Sequence, residues 1–214
     1  LAQAADLKPT TQKMSEAELM QALGAPGVAP EGRFFPDTYS FAPGSTDLAV
    51  LRQAYAAMQR QLDEAWAARA PDTPLKSPDE ALTLASIVEK ETGVEADRAL
   101  VAGVFTNRLR IGMALQTDPT VIYGLGERFD GNLRKRDLLA DGPYNTYTRP
   151  GLPPTPIALP GRASLLAAVR PASTKALYFV ARGDGSSEFS ENLADHNRAV
   201  NKYQRAPAAR GNDR

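Results

Sequence analysis

Cysteine is absent from the 214 residues. That removes disulfides, thiolate nucleophiles and cysteine-based zinc sites from consideration, without fixing the compartment. Histidine occurs once, at His196, so a multi-histidine metal site cannot form within one chain, while a site built from carboxylates stays open. Neither sign of charge is in excess: Lys plus Arg and Asp plus Glu each total 25, for a formal net charge of zero. The basic surplus expected of a nucleic-acid binder is missing, so nucleic acid is not an expected partner. No window approaches the roughly 20 consecutive apolar residues that span a bilayer. The first residues also lack a basic stretch leading into an apolar one. What is left is a chain long enough to bury a sizeable core, as one large domain or two small ones.

Proline, by contrast, is concentrated. Pro150, Pro153, Pro154, Pro156 and Pro160 fall within Tyr144 to Gly161, too many for a helix interior or central strand. A stiff surface loop is expected there, lining the cleft of a site. Residues 1–30 are polar and Ala-rich and form a lead-in segment with one short helix around Ser15 to Met20 and no core-forming pattern. Ser45-Thr46-Asp47 caps a long helix over about 48–69, with Leu48, Leu51, Tyr55, Met58 and Leu62 at helical spacing. Ser77-Pro78-Asp79-Glu80 is a strong helix start, with Ser at the cap, Pro at the first helical position and Glu at the third. That helix is expected to end near Gly93, and another covers about 97–110. A compact strand at Ala176 to Val180, the turn Gly183-Asp184-Gly185 and Glu188-Phe189 form a hairpin, followed by a last helix over about 193–204. The tail 206–214 is expected to be disordered. Several helices with few strands argue an α+β architecture: a helix-rich domain over 31–205 with a small β-hairpin.

The stretch ASIVEKET at 85–92 poses the chemical question, because an apolar run breaks into two glutamates. At about 100° per residue, Ala81, Leu84, Ile87 and Val88 define an apolar stripe and Glu91 falls inside it. Glu89 lies about 160° away, so the two acids do not share one small pocket. A carboxyl on an apolar face loses hydration, which raises its pKa and lets it hold a proton for delivery to a leaving group. The alternative is that Glu91, in the last turn, simply reaches water or a basic partner. On the next helix Arg108 falls in the stripe of Val101, Val104 and Phe105, and a buried arginine needs an acid. Glu89, or a structural acid elsewhere, is the preferred partner, since direct pairing would lower the pKa of Glu91.

Other candidates carry weaker signals. Asp118 precedes Pro119 and reads first as a helix cap. Gln116 has no local role and is free to bond a ligand. Tyr144, Asn145 and Tyr147 set polar and aromatic groups beside the proline-rich loop, suited to sugar faces and amides, or to ordinary loop packing. His196 faces inward with Asn197, more in the manner of a structural histidine than a catalyst. Ser164, Ser173 and Ser190 lack a nucleophile elbow.

Taken together, the segments EGRFFPDT at 31–38, ASIVEKET at 85–92, VFTNRLRIGM at 104–113, LQTDPTVIYG at 115–124, YNTY at 144–147, GLPPTPI at 151–157, LYFV at 177–180 and His196-Asn197 resemble the YceG-like endolytic murein transglycosylases. The resemblance runs over roughly 31–205. It implies an enzyme that cuts peptidoglycan strands between N-acetylmuramic acid and N-acetylglucosamine and leaves an anhydro-muramyl end, with no cofactor. The family's catalytic glutamate is the second of its Glu-Lys-Glu unit, which maps to Glu91. Glu89, Gln116, Asp118, Tyr144, Asn145 and Tyr147 then become cleft or support residues. The competing readings are a water-using muramidase and a non-catalytic peptidoglycan-binding or assembly module. The family's members act on the periplasmic side of the cytoplasmic membrane, and cell-wall synthases are their expected protein partners. A membrane anchor and a LysM-like region usually precede the catalytic part, and neither is visible here. The expectation is therefore an excised catalytic domain that meets the membrane only through an anchor outside this chain.

Overall fold

The computed structural model describes residues 6–205, the side chain of Arg205 excepted. The expected tail, 206–214, lies outside the described residues. The elements run α1 (Glu16–Ala22), α2 (Asp47–Ala67), α3 (Pro78–Glu91), α4 (Glu95–Arg110), α5 (Asp118–Leu125), α6 (Lys135–Leu139), α7 (Arg162–Val169), β1 (Tyr178–Ala181), β2 (Ser187–Ser190) and α8 (Leu193–Val200). The architecture is α+β, with helices outnumbering one antiparallel hairpin. Among the described residues no helix is long and apolar enough to cross a membrane.

The core is organised around α3. Ser77 caps it by accepting from the Glu80 backbone N–H at 3.2 Å, and Pro78 opens its first turn. All eight residues from Ala81 to Val88 are buried, so the helix is enclosed on every side rather than along the single stripe expected from its sequence. It packs most extensively against α7 and also against α2, α4 and α5. Its two buried hydroxyls do not disturb this, because each finds a nearby carbonyl. Thr83 donates to Asp79 O at 2.9 Å and Ser86 to Thr83 O at 2.7 Å. Ser86 also accepts the Ile157 N–H at 2.9 Å, which pins the proline-rich loop onto the helix.

Helix α2 presents Val50, Ala54, Met58, Leu62 and Ala65 to the core. The expected stripe is thus rotated, with Leu48, Leu51 and Tyr55 half-buried on its flank. Unlike the expectation, the lead-in segment does contribute to the core: Met20 is fully buried and Leu7 nearly so. Asp47, at the start of α2, accepts from the backbone and hydroxyl groups of Thr10 and Thr11 at 2.6–3.2 Å. Burial raises the pKa of that carboxyl, but these four hydrogen bonds together outweigh it and hold Asp47 below the usual carboxylate range.

Helix α4 carries the hairpin. Ala172 N–H donates to Ala99 O at 2.9 Å, and Asn107 Nδ2 donates to Thr174 O and Ala176 O at 2.8 and 3.0 Å. Asp97 accepts the Ser187 N–H at 2.7 Å, so both strands are tied to one helix. The register pairs Tyr178 with Ser190 and Ala181 with Ser187. Gly103 makes this docking close: a Cβ there would stand 2.8 Å from Thr174 Cγ2 and 2.9 Å from Ala172 O.

Two outcomes follow. Gly103→Ala gains helix propensity of about 0.5–1 kcal/mol but overpacks against backbone at a cost of about 1–3 kcal/mol, so the variant melts below wild type in a thermal scan. Asp47→Asn replaces one of the two accepting oxygens by a donor, deprives two of the four threonine donors of their acceptor and lowers denaturant stability at neutral pH by about 1–3 kcal/mol. A carboxyl whose folded pKa is depressed stabilises above its unfolded pKa and ceases to as pH falls through the folded value, so this gap closes in acid.

Candidate active site

Glu91 is the last residue of α3, and Thr92 turns the chain to extended backbone. The carboxyl therefore leaves the core where the helix ends and borders a cavity of about 580 Å³. That size falls in the roughly 300–1,000 Å³ range of ligand pockets. Gln116, Asp118 and Tyr147 also line it, as do Arg108 and His196.

Burial pushes the Glu91 carboxyl above the usual glutamate range. A hydrogen bond donated by the Thr117 hydroxyl acts against this, the negative charge of Asp118 adds to it, and the positive charge of Arg108 opposes it. Desolvation wins, so the protonated form is favoured relative to an exposed glutamate, which is the direction a general acid requires.

Glu89, two residues earlier, meets a different environment. Its Oε2 accepts the Gly161 N–H at 3.0 Å and the Ser164 hydroxyl at 2.6 Å. Gly161 is the N-cap of α7 and supplies no side chain of its own, so Glu89 satisfies that helix terminus from a neighbouring element. Arg108 does not pair with it. The guanidinium donates to the carbonyls of Leu177 at 2.7 Å, Leu115 at 2.6 Å and Ala114 at 3.4 Å, and lies 5.2 Å from the Tyr178 ring centroid. Carbonyl dipoles stand in for the expected acid, because Arg108 bridges β1 to the loop before α5.

Asp118 is the first residue of α5 rather than its cap, which is Thr117. Its carboxylate is exposed to the cavity and accepts from the Tyr147 hydroxyl at 2.5 Å. Burial and this bond raise the Tyr147 pKa, so the phenol stays a donor. Gln116 is also exposed and has φ +49, a left-handed backbone that side chains seldom adopt. His196 stacks on Tyr178 at 5.2 Å, and burial followed by the charge of Arg108 lowers its pKa, leaving the imidazole neutral at neutral pH.

The remaining two candidates face elsewhere. Asn145 is buried, donates to the carbonyls of Asp137, Leu138 and Ala140 at 2.7–3.2 Å, and ties down the end of α6. Tyr144 packs on Tyr123 at 4.9 Å between ring centroids and shares a hydrogen bond of 2.8 Å with Thr155. Of the expected loop over 144–161, Tyr147 lines the Glu91 cavity but the proline-bearing part does not. Its Leu152, Pro153 and Pro154 border a separate hollow of about 400 Å³ with Lys76 and Asp79. The loop was expected at the cleft because stiff loops often border sites; here its apolar Ile157 and Leu152 are drawn onto the core instead.

Sequence reasoning missed Thr117, whose neighbours Asp118 and Pro119 drew attention to capping. The only available signal was a hydroxyl residue beside an acid ahead of a helix.

Known proteins resemble this chain in sequence and in fold. A Bacillus subtilis protein named endolytic murein transglycosylase is 42% identical over 173 residues, covering 81% of this chain and 48% of the relative. A Streptococcus pneumoniae protein of the same name is 33% identical over 182 residues, covering 81% of this chain and 32% of the relative. The chain thus spans about half the length of the first and about a third of the second. A crystal structure of a YceG-like protein from Listeria monocytogenes superposes with a TM-score of 0.68 at 33% identity, over 85% of this chain and 62% of that one. The YceG-like family matches residues 1–202, reaching through the lead-in segment as well as the core, and the chain belongs to that family.

Proposed function

We propose that this chain is the catalytic part of an endolytic murein transglycosylase, cleaving the bond between N-acetylmuramic acid and N-acetylglucosamine within peptidoglycan strands. The observation that carries the reading is the desolvated carboxyl of Glu91 at the edge of a sugar-sized cavity. The names of the relatives support the same substrate class.

The chemistry needs one proton shuttle. Glu91 gives its proton to the glycosidic oxygen, and the bond from that oxygen to the anomeric carbon breaks with its electron pair leaving on the N-acetylglucosamine side. The primary hydroxyl of the same muramyl residue then attacks the anomeric carbon. Its proton returns to Glu91, so the acid is restored and no water is consumed. Asp118, fixed by Tyr147, places negative charge beside the positive charge that develops on the sugar. Gln116 offers a free amide to the strand. Glu89, Tyr144 and Asn145 support the scaffold from outside the cavity. Action on the periplasmic side of the cytoplasmic membrane, alongside cell-wall synthases, belongs to this same proposal.

A second reading, hydrolysis by water, rests on Asp118, because a second carboxyl on the same cavity is what a two-carboxylate glycosidase requires. The products differ by the mass of one water.

Digestion of uncrosslinked glycan strands, with the products weighed, tests the proposal. Wild type is expected to release anhydro-muramyl ends, and Glu91→Gln to lose at least about 100-fold in rate; full activity in that variant would sink the assignment. Glu91→Gln should also melt above wild type at neutral pH. A carboxyl whose folded pKa is raised destabilises the fold increasingly as pH rises from its unfolded toward its folded value, and the amide removes that penalty. The gain should vanish in acid.

Because Glu91 must start protonated, kcat falls as pH rises through its pKa. Asp118→Asn removes a charge that raises this pKa, so the alkaline limb moves to lower pH while anhydro products persist. Loss of all cleavage in Asp118→Asn, with water-added products in wild type, would favour the hydrolase.

A further inference from the structure

Thr117 is 2% exposed, and both of its backbone polar groups are held. Its N–H donates to Thr146 Oγ1 at 3.1 Å, its carbonyl accepts from Thr120 Oγ1 at 2.8 Å, and the Thr120 and Thr146 hydroxyls share a hydrogen bond of 2.9 Å. Thr120 and Thr146 are 0% and 2% exposed, so water does not compete for these bonds. The preceding residue, Gln116, takes its left-handed backbone while its own N–H donates to Thr146 O at 3.0 Å. A strained, doubly pinned backbone step thus ends with one free rotor, the Thr117 hydroxyl, and that hydroxyl donates to Glu91 Oε1. Strain held by surrounding bonds beside a site points to positioning.

We propose that Thr117 is the positioning residue for Glu91: its hydroxyl occupies Oε1, so the transferable proton resides on Oε2, and it remains a donor to the carboxylate once that proton has left. This rests on the transglycosylase reading above. A carboxylic acid carries its proton on one oxygen only, and an oxygen that already accepts a hydrogen bond is the poorer place for it. When Glu91 protonates the glycosidic oxygen, charge develops on its carboxylate, and the bond from Thr117 strengthens at that moment rather than in the ground state. Neutral placement alone would satisfy a buried hydroxyl just as well, so the distinction lies in the titration.

The groups that face Glu91 are few. From the start of α5 comes Asp118, from α4 Arg108, and from the loop before the prolines Tyr147, with Tyr178 and His196 across the cavity. None is altered by a change at Thr117, so a shift in Glu91 titration in such a variant reports the lost hydroxyl.

The experiment is a pH titration of the Glu91 side-chain carbon by 13C NMR, assigned with Glu91→Gln, in wild type, Thr117→Val and Thr117→Ser. The valine keeps the shape and loses the donor; Thr117→Ala serves where valine does not pack. Expected is an upward shift of the Glu91 midpoint in the valine or alanine variant and its return in the serine variant. The alkaline limb of kcat should move the same way, with kcat at its optimum reduced at least about tenfold and KM little changed. An unmoved Glu91 midpoint in the folded valine or alanine variant, or a serine variant that fails to restore it, overturns the proposal. If wild type releases no anhydro products, the transglycosylase reading falls while the NMR midpoint still decides whether Thr117 governs Glu91.

Discussion

The enclosure of α3 is the constraint from which the rest follows. A helix satisfies its own backbone hydrogen bonds, so it is one of few elements that can run through the middle of a core. Here eight successive residues, Ala81 to Val88, are shielded by α2, α4, α5 and α7. The helix interior has no exposed side on which to place a charged group, and its polar members Thr83 and Ser86 turn their hydroxyls onto nearby carbonyls. Only its two ends emerge, and the last turn does so with a carboxyl at the rim of a cavity. Position along the helix, more than angle around it, is what brings Glu91 to the site.

Two glutamates two residues apart then diverge because their partners differ. Glu89 meets the N-terminus of α7, where an N–H and a hydroxyl converge on one oxygen. That environment suits a carboxylate in a structural role. Glu91 meets one hydroxyl, one nearby like charge and the opposing charge of Arg108, and burial dominates. The protein holds this second carboxyl at some cost in stability, as functional groups commonly are held. Around it, Arg108 contributes its positive charge at a distance while spending its hydrogen bonds on carbonyls that join β1 to the loop before α5. The same residue thus assembles the cavity and tempers its electrostatics.

Much of the fold was legible locally. Ser77-Pro78-Glu80 starts α3, Thr46 caps α2, and Gly183-Asp184-Gly185 closes the hairpin, because caps and turns are written in residues that touch within a few positions. The candidate site was legible in part: Glu91, Gln116, Asp118 and Tyr147 do converge on one cavity. Tyr144 and Asn145 belong to the same YNTY segment as Tyr147 but point into other packing, since neighbouring loop residues share no fixed face. Nor does any pattern tell that Asn145 binds three carbonyls near α6, or that Arg108 forgoes an acid. Those outcomes depend on chain segments far away in sequence.

The sequence by itself determined the helix-rich α+β class, the helix boundaries set by capping chemistry, and an acid placed at the end of an apolar helix. Tertiary structure decided that Glu91 is desolvated, because burial is a property of what covers a residue and the covering elements arrive from α4, α5 and the hairpin. It also decided that Thr117 holds Glu91. That contact joins positions 26 residues apart, through a left-handed turn at Gln116 and a buried trio of threonines, and no periodicity encodes such a meeting.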